Sequence, residues 1–138
     1  MTFAEWEQQV PSTIRGDSVW KMRAYQLGLF FHDLAVMDAK KLRRDPLLQE
    51  MLGQLLRATS KISASVAEGY SRNTGKARAT YYEYALGSTR EARDWYYKSR
   101  HALPEKVTEH RLDIATQLIR LLLKMIATER RSNRRASG

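Results

Sequence analysis

The sequence predicts an all-α fold: an antiparallel up-and-down four-helix bundle behind a short N-terminal helix, assembling into a homo-oligomer. Three observations carry this. Apolar residues recur at steps of 3 and 4 almost throughout, with no strand-like alternation. Breaks fall at Pro11, Pro46, Gly69, Gly75 and Pro104, leaving four long periodic stretches. Two of those stretches are apolar on more than one side, which a lone bundle would leave wet.

Taken in order, Thr2-x-x-Glu5 reads as a capping box for a short helix that shows Phe3, Trp6 and Val10 on one side and stops at Pro11. The first long helix is predicted from about Ser18 to Leu42. Asp45-Pro46 reads as a cap with proline at the first helical position, opening a second long helix that runs to about Glu68. Asn73-Thr74-Gly75 is the turn. The third is predicted from Lys76 to Ala102, and the fourth from Thr108, or slightly earlier at Pro104-Glu105, to about Arg130. Each is about 25 residues and so about 37 Å long. The expected organisation is an N-terminal extension at 1–16, the bundle at 17–130 and a basic disordered tail at 131–138.

The helical faces say more than the helix count. Leu48, Leu52, Leu55, Thr59, Ile62 and Val66 form one seam on the second long helix, with charged residues opposite. The first long helix has an inner seam (Trp20, Ala24, Leu27, Phe31, Leu34) and a second stripe of Met22, Tyr25, Leu29 and Val36. On the fourth, Ile114, Leu118, Leu121, Leu122 and Met125 face one way, and Leu112, Ile119, Leu123 and Ile126 widen the arc to roughly 200°, against ~100° for a surface helix. Eight such residues in an interface would be worth on the order of 10 kcal/mol. They are therefore expected to line a subunit contact. Two plainer accounts compete: the leading helix folds back over one stripe, or the leucines are scattered surface residues.

Composition removes whole classes of function. The 138 residues contain no Cys, which excludes disulfide scaffolds, thiol nucleophiles and cysteine-held metal sites. The longest charge-free run, Ala24 to His32, is too short to span a bilayer, and the start does not resemble a signal peptide. A soluble cytoplasmic chain without membrane contact is the expectation. His32, His101 and His110 are preceded at three residues by Leu29, Lys98 and Val107, so no Glu-x-x-His di-iron pattern exists. His32-Asp33 point about 100° apart on a helix, and Ser60, Ser63 and Ser65 lack a nearby base. No catalytic residue, metal or cofactor is expected, and the chain reads as a non-enzyme.

Charge points to a polymer partner. The net charge is +9, rising from −2 over residues 1–17 to +4 over 102–138. On the third long helix, Tyr82, Leu86, Arg90, Arg93, Tyr97 and Arg100 follow steps of 3 and 4, beside a core seam of Tyr81, Ala85, Ser88, Ala92, Trp95 and Ser99. Arginine forks hold phosphates and tyrosine rings stack on unpaired bases. Arg90, Arg93, Tyr97 and Arg100, with Arg130, Arg131, Arg134 and Arg135, are the candidate nucleic-acid residues. In the competing account Arg90 pairs with Glu83 or Asp94 and the tyrosines pad a subunit contact.

The corner between the second and third long helices resembles a known family. Gln54-Leu55-Leu56-Arg57-Ala58, then Ile62-x-x-x-Val66-Ala67-Glu68-Gly69-Tyr70-Ser71-Arg72, is similar to that family's Q-hydrophobic-x-R-A … S-I-P-x-N-I-A-E-G-x-x-R signature. Ala85-Leu86-Gly87-Ser88-Thr89-Arg90-Glu91 matches its A-x-G-S-x-x-E element. The family is the four-helix-bundle proteins of 23S rRNA intervening sequences, similar also to the accessory variability determinant of diversity-generating retroelements. Lys61, Ser63 and Ser65 stand where the family has Ser, Pro and Asn. Losing the proline should leave this helix straighter. The signature reads as architectural: Gly69 would supply a left-handed stop, Glu68 and Arg72 an ion pair around it, and Gly87 and Ser88 a close helix approach. The resemblance implies a homopentamer and, for the retroelement relatives, a basic surface that binds nucleic acid and a reverse transcriptase. The leading expectation is an oligomeric nucleic-acid-binding accessory protein, with an oligomeric protein-interaction scaffold as the alternative.

Overall fold

In the computed structural model, residues 1–137 are described, with side chains through Arg135. Thr2 accepts a hydrogen bond from the Glu5 amide at 3.2 Å and caps α1 (Phe3–Glu7), as its sequence pattern predicts. A further turn, α2 (Ser12–Arg15), and a 3₁₀ turn at Ser18–Lys21 follow. Four long helices make up the rest: α3 (Arg23–Leu42), α4 (Gln49–Tyr70), α5 (Gly75–Lys98) and α6 (Glu105–Ser137). No strand occurs among the described residues.

Each long helix packs on two others: α3 on α4, α4 on α5, α5 on α6, and α6 back on α3. Successive helices run in opposite directions, since Gly28 meets Ile62 and Ser63, Gly69 meets Tyr82, and Gly75 meets Glu129. The centre holds Leu27, Phe31, Leu34, Leu55, Ile62, Leu118 and Leu122, all nearly inaccessible. Phe31 stacks on Tyr96 with ring centroids 5.5 Å apart.

Several boundaries differ from the sequence expectation. Asp45 accepts from the Leu47 amide at 3.0 Å, but this closes a turn, and α4 opens only at Gln49 without a side-chain cap. Pro46 therefore precedes the helix. With Ser63 in place of proline, α4 runs unbroken. α6 continues through Ser137, so the segment expected as a disordered tail forms its last turns; Gly138 lies outside the described residues.

The second apolar stripes find most of their cover within one copy of the chain. Residues 1–21 fold back over α3. Trp6, 5% exposed, stacks on Trp20 and packs on Phe30, while its indole N–H donates to Asp33 at 2.7 Å. Phe3 meets Phe30 edge-on, the Arg23 guanidinium lies over Phe3, and Arg15 ties the arm by donating to the carbonyls of Val10 and Glu7. Met22, Tyr25 and Leu29 thus pack against the core, and Val36 is half-buried. On α6, Ile119 and Ile126 are core residues at 7% and 8% exposure, and Leu112 is half-buried against the core. A helix clasped by two neighbours, α3 and α5, uses an arc twice as wide as one resting on a single surface. Of the eight residues expected at a subunit contact, Leu123 is the one that stands well exposed, at 46%.

Candidate nucleic-acid interface

The face that α5 presents follows from its register. Ala79, Tyr82, Ala85, Thr89, Ala92, Tyr96 and Ser99 are buried: the predicted Ala85, Ala92 and Ser99 hold, and the other three steps of the predicted seam move on by one position. Tyr82 therefore leaves the basic stripe for the core, while Tyr81, Ser88 and Trp95 are only half-buried. Arg90, Tyr97 and Arg100 remain exposed and Arg93 is half-buried. Arg90, Arg93 and Tyr97 line an open groove of about 450 Å³ between α5 and α6, completed by Asp94, Leu112 and Thr116. The Arg100 guanidinium sits 4.0 Å from the Tyr97 ring centroid and donates to the Tyr97 carbonyl, yet the ring stays 52% exposed.

The acids that could neutralise Arg90 are engaged elsewhere. Glu83 pairs with Arg130, and Asp94 pairs with Lys98 at 2.7 Å. Among the described residues, neither Arg90 nor Arg93 forms an ion pair. Arg131, Arg134 and Arg135 are likewise exposed without an acidic partner, on the final turns of α6 beside the start of α5. The two groups lie at opposite ends of the α5–α6 pair, and Arg130 is bound to Glu83.

The signature residues separate into two roles. Arg72 pairs with Glu68 at 2.9 Å, as expected, and also donates to the Tyr81 hydroxyl. Gln54 and Ala67 are half-buried, and Arg57 is exposed. Gly69 does not supply a left-handed stop, because no residue among those described has positive φ. It is buried inside α4, where a Cβ would stand 2.7 Å and 2.9 Å from the Tyr82 ring and 3.0 Å from the Tyr81 Cβ. Its role is to let the aromatic pair close on α4. Gly87 is the reverse: a Cβ there would meet nothing within 4 Å, so no helix of this chain makes the approach expected of it. Gly87, Ser88 and Glu91 line an open α4–α5 groove with Lys61, Ser65 and Tyr84.

One polar cluster escaped the sequence reading. Asp38 on α3, 2% exposed, accepts two hydrogen bonds from Arg111 on α6, at 2.8 Å and 3.0 Å, and one from the Tyr96 hydroxyl on α5 at 2.7 Å. Burial works against the Arg111 charge, but the hydrogen bonds and charge of Asp38 outweigh it and raise the guanidinium above its ordinary value. Burial, then the Asp38 charge, pushes the Tyr96 hydroxyl up, so it remains a neutral donor. This arrangement clamps three helices and is closed to ligand. His32 bonds Thr59 at 2.9 Å while Asp33 holds Trp6, so the adjacent pair diverges. Among the described residues, no group of acids and histidines is placed to hold a metal, and no helix is long and apolar enough to cross a membrane.

No curated protein and no solved structure matches the chain. The family model for the 23S rRNA-intervening sequence protein matches residues 21–127, from the end of the 3₁₀ turn through most of α6 and excluding the folded-back arm. That span takes in α3, α4, α5, the greater part of α6 and both signature segments, and the chain belongs to the 23S rRNA-intervening sequence protein family.

Proposed function

We propose that this chain is a non-enzymatic, oligomeric nucleic-acid-binding accessory protein, each protomer an antiparallel up-and-down four-helix bundle. Its α5–α6 face contacts phosphates through Arg90 and Arg93, with Tyr97 as a stacking surface. One observation carries the reading: both arginines share a groove with an exposed tyrosine while the acids beside them, Glu83 and Asp94, are taken by Arg130 and Lys98. Guanidinium groups without protein acceptors on a chain of net charge +9 suit an anionic polymer. In the retroelement-like form of this role, the bound strand is presented to a reverse transcriptase.

Filter binding to a structured RNA at two salt concentrations tests it. Each phosphate contact adds about −0.7 to −0.9 to the log–log salt slope, so Arg90→Ala/Arg93→Ala is expected to make it shallower by about 1.4 to 1.8. Absence of binding at low salt, or binding indifferent to salt and to both substitutions, contradicts the reading.

A second reading, the protein-interaction scaffold, is favoured by the α4–α5 groove, where Tyr84 is 57% exposed and Gly87 faces open space. This is also the face offered to a second copy. Tyr84→Glu is then expected to shrink the particle in light scattering at unchanged helicity; an unchanged particle size removes this groove from the assembly.

A further inference from the structure

The sequence separates two basic groups, one on α5 and one at the C-terminus, and the fold supplies what lies between them. Because α6 stays helical to Ser137, its outward residues recur at steps of 3 and 4: Thr116, Arg120, Lys124, Arg131 and Arg134, with Ala127 between. Thr116 belongs to the groove of Arg90, Arg93 and Tyr97, and Arg120 follows one turn later. All four cations of the row are exposed. Of the acids nearby, Asp113 accepts from Gln117 at 2.7 Å, Glu129 pairs with Arg78 at 2.8 Å, and Glu83 pairs with Arg130. None of the four cations has an acidic partner among the described residues.

We propose that the α5–α6 groove and the outer row of α6 form one continuous track for a single-stranded nucleic acid, with Arg120 and Lys124 as the phosphate contacts that join its two ends. This rests on the nucleic-acid reading above and adds to it the class of strand and two residues. The row from Arg120 to Arg134 is about 21 Å long and one helix wide, which suits one phosphate chain. Apolar surface stands beside the cations, Tyr97 at 52% exposure and Leu123 at 46%. Unpaired bases can cover such surface, whereas a duplex keeps its base faces stacked on one another.

The test is fluorescence anisotropy with a labelled oligouridine and a labelled RNA duplex of the same length, across a salt series. Wild type is expected to bind the single strand more tightly than the duplex. Arg120→Gln/Lys124→Gln is expected to weaken binding and to make the salt slope shallower by about 1.4, two contacts at about 0.7 each. Arg120→Lys/Lys124→Arg, which keeps both charges, restores the slope. Lys40→Gln/Lys41→Gln on α3, exposed and of equal charge loss, leaves it unchanged. A wild-type slope in the Arg120/Lys124 double variant, an equal loss in the α3 control, or preference for the duplex overturns the track while leaving nucleic-acid binding standing. Failure of wild type to bind either probe overturns both.

Discussion

Replacing Arg111 by Met leaves the Asp38 carboxylate inside the protein with one hydrogen bond in place of three. Asp38 is 2% exposed, so water cannot take over, and the Tyr96 hydroxyl at 2.7 Å is the remaining donor. Removing one partner of a buried ion pair costs about 3–5 kcal/mol, a large part of the roughly 5–15 kcal/mol that holds a domain folded. Tyr96→Phe removes a single hydrogen bond to a charged group and is expected to cost less, about 1.5–3 kcal/mol. Replacing all three members with apolar residues (Asp38→Leu, Tyr96→Phe, Arg111→Met) strands nothing and should recover most of the loss. Urea unfolding followed by far-ultraviolet circular dichroism ranks the variants. The reasoning fails if Arg111→Met loses under about 1 kcal/mol, as an exposed pair would, or if the triple variant is the least stable.

The two signature glycines should respond with opposite signs. Gly69→Ala drives a methyl into the Tyr82 ring and is expected to destabilise by about 1–3 kcal/mol, whereas Gly87→Ala, in open space on a helix, should stabilise the protomer by about 0.5–1 kcal/mol; thermal unfolding of both variants checks this, and a common sign refutes it. Partial burial, then the neighbouring Arg111 guanidinium, holds the His110 imidazole below its ordinary value. The unfolded chain therefore takes up that proton first, and stability is lost as pH falls below about 6.5. His110→Asn should flatten this part of the pH profile, and an unchanged profile contradicts the assignment. Trp6→Ala should release the arm, so that limited proteolysis cuts within residues 1–21 while the long helices persist; unaltered protection would show that Trp6 does not hold the arm.

Regular packing was legible in the sequence, and tertiary partnership was not. The seam on α4 could be read because its apolar residues are isolated among polar ones, so only one face fits. On α5 the doublet Tyr81-Tyr82 and the run Trp95-Tyr96-Tyr97 offer two registers of equal periodicity, and the buried one is chosen by Phe31 and Asp38 across the core. Asp38 stands four residues after Leu34 and Arg111 three before Ile114, each a charge on an apolar face, which was the available signal. Their pairing spans 73 positions, beyond any local pattern. The wide apolar arcs, expected to face another subunit, are for the most part covered within one copy, because the helical period states how much of a helix is covered without naming the cover. In α3 the cover is the aromatic arm; in α6 it is the helix's two neighbours. The arginine groove was half legible: Arg90, Arg93 and Tyr97 share a face on α5, while Leu112 and Thr116 complete it from α6.

Mapping the contact chemically tests the central claim most directly. Thiouridine-bearing single-stranded RNA, photocross-linked to the intact protein and read by peptide mass spectrometry, should mark the α5 segment around Tyr97 and the α6 segment 112–124. Cross-links confined to α3 and α4, or none under conditions where the RNA is bound, would place the nucleic acid elsewhere and contradict the account.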